Sequence, residues 1–264
     1  MKFNILGHLE VFGDDAAKLE IRQARQRALL IMMLLHANEV VSIGRLADAL
    51  WGEERSVPGE GALRTHVWAL RRFQALGGRL CTAEGGYRLD ILPGELDLAE
   101  FRGYAGQSRQ VLRTGNLSSS EALLRQALRL WREPWLPDMP ATAVMEVAAR
   151  RLLDERQDAQ EMLTEVRLAL GQHAELIPEL RANVAADPMH ERLWEHLMLA
   201  LHRAGRTAEA LAAYQRARAS ITENLGIEPG HGLQLLHRRI LDGDPALVPE
   251  AVRSGSTAGY GLMS

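Results

Sequence analysis

Only one cysteine, Cys81, occurs among the 264 residues. A single thiol excludes an intrachain disulfide and a zinc site built from cysteine pairs, so we expect a protein of the reducing cytoplasm. The longest apolar run, residues 28 to 35, is eight residues long, whereas a membrane-spanning helix needs roughly 20. The N-terminal residues also lack an apolar core followed by a small-residue cleavage site. We therefore expect neither export nor membrane insertion.

Sequence motifs that carry catalysis are also missing. The chain has no Gly-x-x-x-x-Gly-Lys-Ser/Thr phosphate loop and no nucleophile motif. His190, His196 and His202 are spaced by six residues, a spacing that does not place them on one face of a helix. We therefore predict that the protein is not an enzyme and that it holds neither a metal nor another cofactor.

The chain does contain enough apolar residues for real cores and a local cluster of positive charge. Its composition, 47% apolar and 25% charged, is that of a globular protein with room for two domains. Residues 1–93 hold 12 Lys/Arg against 11 Asp/Glu, and the remainder holds 19 against 23. Between Arg55 and Leu80, however, five arginines accompany a single acid, Glu60. Such a local field favours nucleic-acid binding. One copy would bind weakly and with marked salt dependence, so we expect cooperative binding or a partner.

The stretch from Gly61 to Gln74 predicts an amphipathic helix with a basic face. Apolar side chains recur on one side at helical spacing, namely Ala62, Leu63, Val67, Leu70 and Phe73. The other side carries Arg64, Trp68, Arg71 and Arg72 at positions i, i+4, i+7 and i+8. One face can pack while the other reaches outward. We interpret this stretch as a DNA recognition helix.

The segments around this helix predict a small α+β domain. Alternating apolar residues near the N-terminus predict short antiparallel strands, and a first helix is predicted from Arg22 to Asn38. Ser42 is placed to cap a second helix, Ile43 to Trp51, which Gly52 stops. The turn at residues 84–86 joins two alternating segments and predicts a hairpin. Three helices followed by a hairpin make a winged helix-turn-helix domain.

From Leu96 onward the pattern is helical throughout. Seven helices are predicted, approximately over residues 98–113, 118–132, 141–170, 173–186, 189–204, 207–225 and 230–242. Leu170-Gly171 with Ala174-Glu175 recurs as Ala204-Gly205 with Ala208-Glu209, a shift of 34 positions. This is the period of tetratricopeptide repeats, whose paired helices stack around a continuous core. The sequence therefore predicts a mainly α protein, in which an all-α, tetratricopeptide-like domain follows the winged helix.

Short motifs occur in a fixed order in the first part of the chain: Gln23–Leu30, Leu34–Asn38, Val41-Ser42, Arg45-Leu46, Ala49–Gly52, Val67, Leu70–Arg72 and Gly85–Tyr87. In this order they resemble the OmpR-type DNA-binding domain of the Streptomyces antibiotic regulatory proteins, the SARP family of transcriptional activators. The stretch from Glu191 to Gly230, continued by residues 238–247, is similar to the bacterial transcriptional activation domain of the same family. Two adjacent positions depart from the family pattern, because Trp68-Ala69 stands where a small polar residue and an arginine usually precede Leu-Arg-Arg.

The resemblance implies three segments and a set of partners. It implies an OmpR-type winged-helix domain over residues 1–93 and a tetratricopeptide-like activation domain over residues 94–247, while residues 248–264 are predicted to be a disordered tail. It further implies a cytoplasmic, nucleoid-associated activator of an antibiotic or other secondary-metabolite gene cluster. Its expected partners are double-stranded promoter DNA with direct repeats, a second copy of the chain on that DNA, and RNA polymerase through sigma factor region 4 and the alpha and beta subunits. No membrane partner is expected.

Ten residues are candidates for DNA contact. They are Arg64, Thr65, His66, Trp68, Arg71 and Arg72 on the recognition helix, Tyr87 and Arg88 on the hairpin, and Arg25 and Arg45 on the first two helices. We expect Arg64 to read base edges, and Arg71 and Arg72 to contact phosphates at least in part.

For five of these residues an alternative is open. His66 either donates to DNA or covers the core. Trp68 either contacts a thymine methyl group or packs against the hairpin, which is the wing of the domain. Packing is the preferred interpretation. Tyr87 either meets the DNA backbone or closes the core of the hairpin. Arg25 and Arg45 either touch phosphates, touch a neighbouring copy, or are solvated surface side chains.

A rival function of another class is a tetratricopeptide scaffold whose N-terminal domain docks protein rather than DNA. A helical repeat stack buries its own core and leaves a groove for partners, so the helical domain fits both hypotheses. The basic face of residues 61–74 separates them, because only DNA binding requires it.

Overall fold

The computed structural model describes residues 1–52, 60–134, 136, 138 and 140–247, with the side chains at 60, 74 and 75 left aside. The predicted tail, residues 248–264, lies outside this part. The chain divides into two compact units, residues 1–115 with 122–160, and residues 116–121 with those from 161 onward. The first unit therefore continues past residue 93. The predicted boundary between the winged-helix domain and the activation domain stays a prediction.

The first unit begins with a two-stranded antiparallel sheet, as predicted. Strand β1 (Lys2–Asn4) pairs with β2 (Glu10–Phe12). The backbone amides of Ile5 and Leu6, after β1, donate to the buried carboxylate of Asp97 at 2.9 and 3.0 Å. Asp97 is the first residue of helix α5 (Asp97–Arg113), so these hydrogen bonds tie the N-terminal strands to a helix beyond the predicted boundary.

Three helices follow the first sheet and confirm the helical part of the winged-helix prediction. Helix α1 (Ala24–Leu35) begins two residues later than predicted, and buries its side chains from Ala28 to Leu34. Helix α2 (Ile43–Trp51) has the predicted bounds, because Ser42 Oγ accepts from the Arg45 amide at 3.3 Å and Gly52 ends the helix at φ 64°. Helix α3 (Glu60–Arg71) packs against both α1 and α2.

Helix α3 ends three residues earlier than predicted, because Phe73 takes an extended conformation. A separate short helix, α4 (Gln74–Gly77), then turns the chain back on the end of α3. A Cβ atom on Gly77 would lie 2.6 Å from the carbonyl oxygen of Arg71. The missing side chain of Gly77 therefore permits this close return of the backbone.

The first unit also contains a three-stranded sheet, whose strand order is β3-β5-β4. The predicted hairpin is confirmed as β4 (Leu80–Ala83) and β5 (Gly86–Leu89). Strand β3 (Val40–Ser42), which immediately precedes α2, pairs with β5 and was not predicted. The strand is only three residues long, and its partner lies more than 40 residues away along the chain. Local alternation in a segment this short carries little signal.

The rest of the chain is helical, as predicted, and within the described residues no named strand follows β5. The helices after α5 are α6 (Leu117–Arg129), α7 (Ala143–Ala169), α8 (His173–Ala186), α9 (Glu191–Arg203), α10 (Thr207–Leu225) and α11 (His231–Leu241), followed by a 3₁₀ helix, Pro245–Leu247. Helices α8 and α10 have the predicted bounds. None of the described helices is both long and apolar enough to cross a membrane.

The internal repeat is visible in the second unit. Gly171 and Gly205, which are 34 positions apart, both adopt positive φ, 83° and 76°, before α8 and α10. Leu176, Ile177 and Leu180 of α8 join side chains of α9 and α10 in one buried cluster. Tyr214 of α10 is buried in this cluster as well.

We predict that Gly86→Ala destabilises the wing while Gly78→Ala does not. A Cβ atom on Gly86 would overlap the Val41 carbonyl oxygen and lie 2.8 Å from its carbon, so β3 and β5 would separate. A Cβ atom on Gly78 meets nothing within 4 Å. Urea unfolding should show a loss of about 2–4 kcal/mol for the first variant and a change below about 1 kcal/mol for the second. Equal effects would contradict the close approach at Gly86.

Candidate nucleic-acid interface

Helix α3 separates its side chains into a buried and an exposed face, as its sequence predicts. Leu63, Val67 and Leu70 are almost fully buried. Arg64, Thr65, Trp68 and Arg72 are exposed on the other side. The apolar contacts of the first face fix the rotation of the helix about its axis. The exposed face therefore presents two arginines, a hydroxyl and an indole together.

Arg71 lies between the helix and the wing rather than on the open surface. Its Nε donates to the Leu80 carbonyl and its Nη2 to the Thr82 hydroxyl, both at 2.8 Å. Its guanidinium also lies over the Tyr87 ring, 5.8 Å from the centroid. These contacts join the end of α3 to both strands of the hairpin, a role that the sequence did not indicate. The predicted phosphate contact of Arg71 stays a prediction.

Trp68 is exposed, and the preferred prediction that it packs against the wing is wrong. Its relative exposure is 60%, because it lies on the face of α3 opposite Leu63 and Leu70. Arg72, one turn further along the helix, places its guanidinium 5.0 Å from the indole centroid. This cation–π contact leaves most of the indole surface open to solvent.

Thr65 and His66 differ in how accessible they are. The Thr65 hydroxyl donates to the Gly61 carbonyl within the helix at 2.9 Å, yet the side chain is exposed. His66 is partly buried beside Trp51, with 6.1 Å between ring centroids. Burial, and after it the charge of exposed Arg25, lowers the pKa of His66, so the imidazole is neutral near neutral pH. The contact with Trp51 agrees with the alternative in which His66 covers the core.

On the wing, Tyr87 is buried and Arg88 is exposed. Tyr87 closes the core of the hairpin, which is one of its two predicted roles. Arg88 forms a bidentate pair with Asp90, at 2.6 and 3.2 Å, and this carboxylate raises the pKa of Arg88. Solvent screens an exposed pair of this kind, so it contributes little to stability. A phosphate could therefore replace Asp90 as the partner of Arg88.

A concave surface of about 440 Å³ lies between α3 and the wing. Arg64, Trp68 and Arg71 line its helical side, and Thr82 and Gly85 line its wing side. The two wing residues were not predicted as site residues. Their sequence signal, a glycine turn with a neighbouring hydroxyl, is common in hairpins that bind nothing.

Arg45, predicted with the other candidates, is not brought to this surface. It is exposed on α2 but lines a separate depression together with Arg102 of α5 and Arg151 of α7. Arg102 pairs with Glu155 at 2.8 Å. Sequence periodicity placed Arg45 outward on its helix, but it does not define the direction of that helix relative to α3.

The winged three-helix fold and the helical repeat, together with the relatives described below, identify the chain as a regulator of transcription. Residues 96–241 match the family model described as the bacterial transcriptional activator domain. The chain belongs to the SARP family of transcriptional activators. This confirms the family to which the sequence motifs were assigned.

Relatives match almost the whole chain. Regulatory protein DnrI of Streptomyces peucetius is 35% identical, over 98% of this chain and 99% of its own length. Regulatory protein AfsR of Streptomyces coelicolor is 38% identical over 98% of this chain, which spans 26% of that protein. The solved structure of Mycobacterium tuberculosis EmbR in complex with low affinity phosphopeptide superposes with a TM-score of 0.86 at 30% identity, covering 97% of this chain and 68% of the other. The match extends over both the winged-helix and the helical parts.

We predict that Arg71→Ala loosens the wing, whereas Arg72→Ala does not. Arg71 donates to two groups of β4, and losing hydrogen bonds from a charged donor costs about 2 kcal/mol. Among the residues that the structure describes, Arg72 contacts only the exposed indole of Trp68, which is worth about 0.5 kcal/mol. Hydrogen exchange of residues 80–89 should accelerate in the first variant alone. If hydrogen exchange of residues 80–89 is unchanged in Arg71→Ala, Arg71 does not hold the wing to α3.

Proposed function

We propose that this activator binds promoter DNA by inserting the exposed face of α3 into a major groove. The supporting observation is the arrangement of Arg64, Trp68 and Arg72 on one exposed side of a helix whose other side is buried. A recognition helix needs this division, because the buried face must hold it rigidly while the other reads base edges. The adjacent wing would lie against the sugar–phosphate backbone.

The three exposed side chains have different proposed roles. Arg64 lines the concave surface next to the wing and would read a guanine edge with its forked donors. Arg72, stacked on Trp68, would contact a phosphate. Trp68 would meet a thymine methyl group, because an exposed indole offers apolar surface where an arginine would offer donors. Specificity would thus differ from that of relatives with an arginine in this region.

We further propose that two copies bind side by side on direct repeats. One near-neutral domain with a few arginines neutralises few phosphates and binds weakly. Two tandem copies would place their α3 helices on the same side of the duplex, about one helical turn apart. The repeats should therefore recur at about 10–11 base pairs.

The helical second unit would contact RNA polymerase, through sigma factor region 4 and the alpha and beta subunits, and so activate a secondary-metabolite gene cluster in the cytoplasm at the nucleoid. This proposal rests on membership of an activator family and on the repeat architecture, since stacked helices offer broad surfaces for partners. In the scaffold alternative the stacked helices also bind partners, but α3 does not bind DNA.

We predict that Arg64→Ala and Arg72→Ala each weaken binding to a promoter fragment, by about tenfold. Arg72→Ala should also reduce the dependence of log affinity on log salt by about one, because one phosphate contact is lost. The matched control is Arg206→Ala, an exposed arginine paired with Glu209 in the second unit. Fluorescence anisotropy against salt concentration measures both effects. Unchanged affinity in both α3 variants would favour the scaffold alternative.

A further inference from the structure

A groove of about 670 Å³ crosses the second unit between α9, the end of α7, α11 and the 3₁₀ helix. Its apolar lining includes Leu168, Leu199 and Leu236, and its polar lining includes three arginines, two glutamates and one histidine. Pockets that bind small organic molecules have volumes of about 300–1,000 Å³ and combine apolar walls with a few placed polar groups. No sequence motif marks this site, because its lining residues come from separate segments of the chain.

One arginine of the groove has no carboxylate partner among the described residues. Arg192 pairs with Glu161 and Glu165, and Arg239 with Asp244. Arg203 instead donates its Nε to the Leu247 carbonyl at 2.6 Å and its Nη1 to the Leu168 carbonyl at 3.2 Å. Burial lowers the pKa of Arg203. Its half-buried charge would be stabilised by an anion brought in by a ligand.

Two polar groups at the other end of the groove can each take a further hydrogen bond. Glu195 is half-buried, and no hydrogen-bond donor of the described chain reaches its carboxyl group; burial raises its pKa. His196 is only 6% exposed, and its Nε2 lies 3.9 Å from Glu165, while its Nδ1 makes no hydrogen bond with the described residues. Because buried polar atoms are usually hydrogen-bonded, a ligand in the groove would find an open partner here.

The spacing of these groups along α9 defines the length of a ligand. Glu195 and Arg203 are eight residues apart, which is about 12 Å along a helix. Leu199 lies halfway between them on the same face, and Leu236 of α11 faces the same groove. A ligand that satisfies all of these groups needs an acidic end, an apolar middle and a hydrogen-bonding end.

We propose that this groove binds an elongated amphipathic organic acid. Its carboxylate pairs with Arg203, its apolar body covers Leu199 and Leu236, and a distal hydroxyl or amine donates to Glu195 beside His196. An inorganic anion would satisfy Arg203 alone and leave the leucines exposed. The family assignment and the proposed DNA contacts do not depend on this site, which lies wholly in the second unit.

The test uses the whole chain and two probes, ω-hydroxydecanoate and decanoate, titrated by calorimetry. Both acids should bind, and the hydroxy acid should bind more tightly. Arg203→Gln should weaken both by about tenfold. Arg206→Gln is the matched control, since it removes an exposed arginine three residues away that does not line the groove, and it should leave both affinities unchanged.

A second variant keeps the test decisive if Arg203→Gln loses stability with its two carbonyl contacts. The Glu195 carboxyl group makes no hydrogen bond with the described residues, so Glu195→Ala should fold normally. This variant should weaken the hydroxy acid by about fivefold and leave decanoate unchanged. The proposal is overturned if neither acid binds the intact chain, or if Glu195→Ala affects both probes equally.

Discussion

Arg71 ties the last turn of α3 to both strands of the hairpin, through the Leu80 carbonyl, the Thr82 hydroxyl and the Tyr87 ring. The buried face of α3 holds the helix against α1 and α2, and β3, which immediately precedes α2, pairs with β5 of the wing. Arg71 adds a direct side-chain link between α3 and the wing. The exposed side chains of α3 and the edge of the wing therefore keep one relative orientation.

Much of the fold follows from local sequence signals. Ser42 and Gly52 define both ends of α2, and the 34-residue repeat defines the glycines before α8 and α10. Features set by distant contacts have no local signal in the sequence. Strand β3 forms only because β5 offers it a partner, and the first unit continues past residue 93 because Asp97 binds the amides that follow β1.

In the candidate site, too, local sequence signals predict some features and distant contacts determine the others. Periodicity distinguished the buried from the exposed face of α3, but not which exposed arginine turns toward the wing. Arg71 and Arg72 are adjacent in sequence, yet Arg71 donates a hydrogen bond to β4 whereas Arg72 stacks on Trp68. Trp68 was expected to pack against the wing, but its side chain is 60% exposed. The groove at Arg203 depends on residues from four elements, which no local pattern brings together.

The most direct test of α3 as a recognition helix is DNA cleavage from an iron chelate tethered to Thr65→Cys. The only native thiol, Cys81, is replaced by serine so that the chelate attaches at one position. Insertion of α3 into the major groove predicts cleavage at two short sets of nucleotides on the promoter, about 10–11 base pairs apart. Cleavage spread evenly along the fragment, or none above that of the untethered chelate, would contradict it.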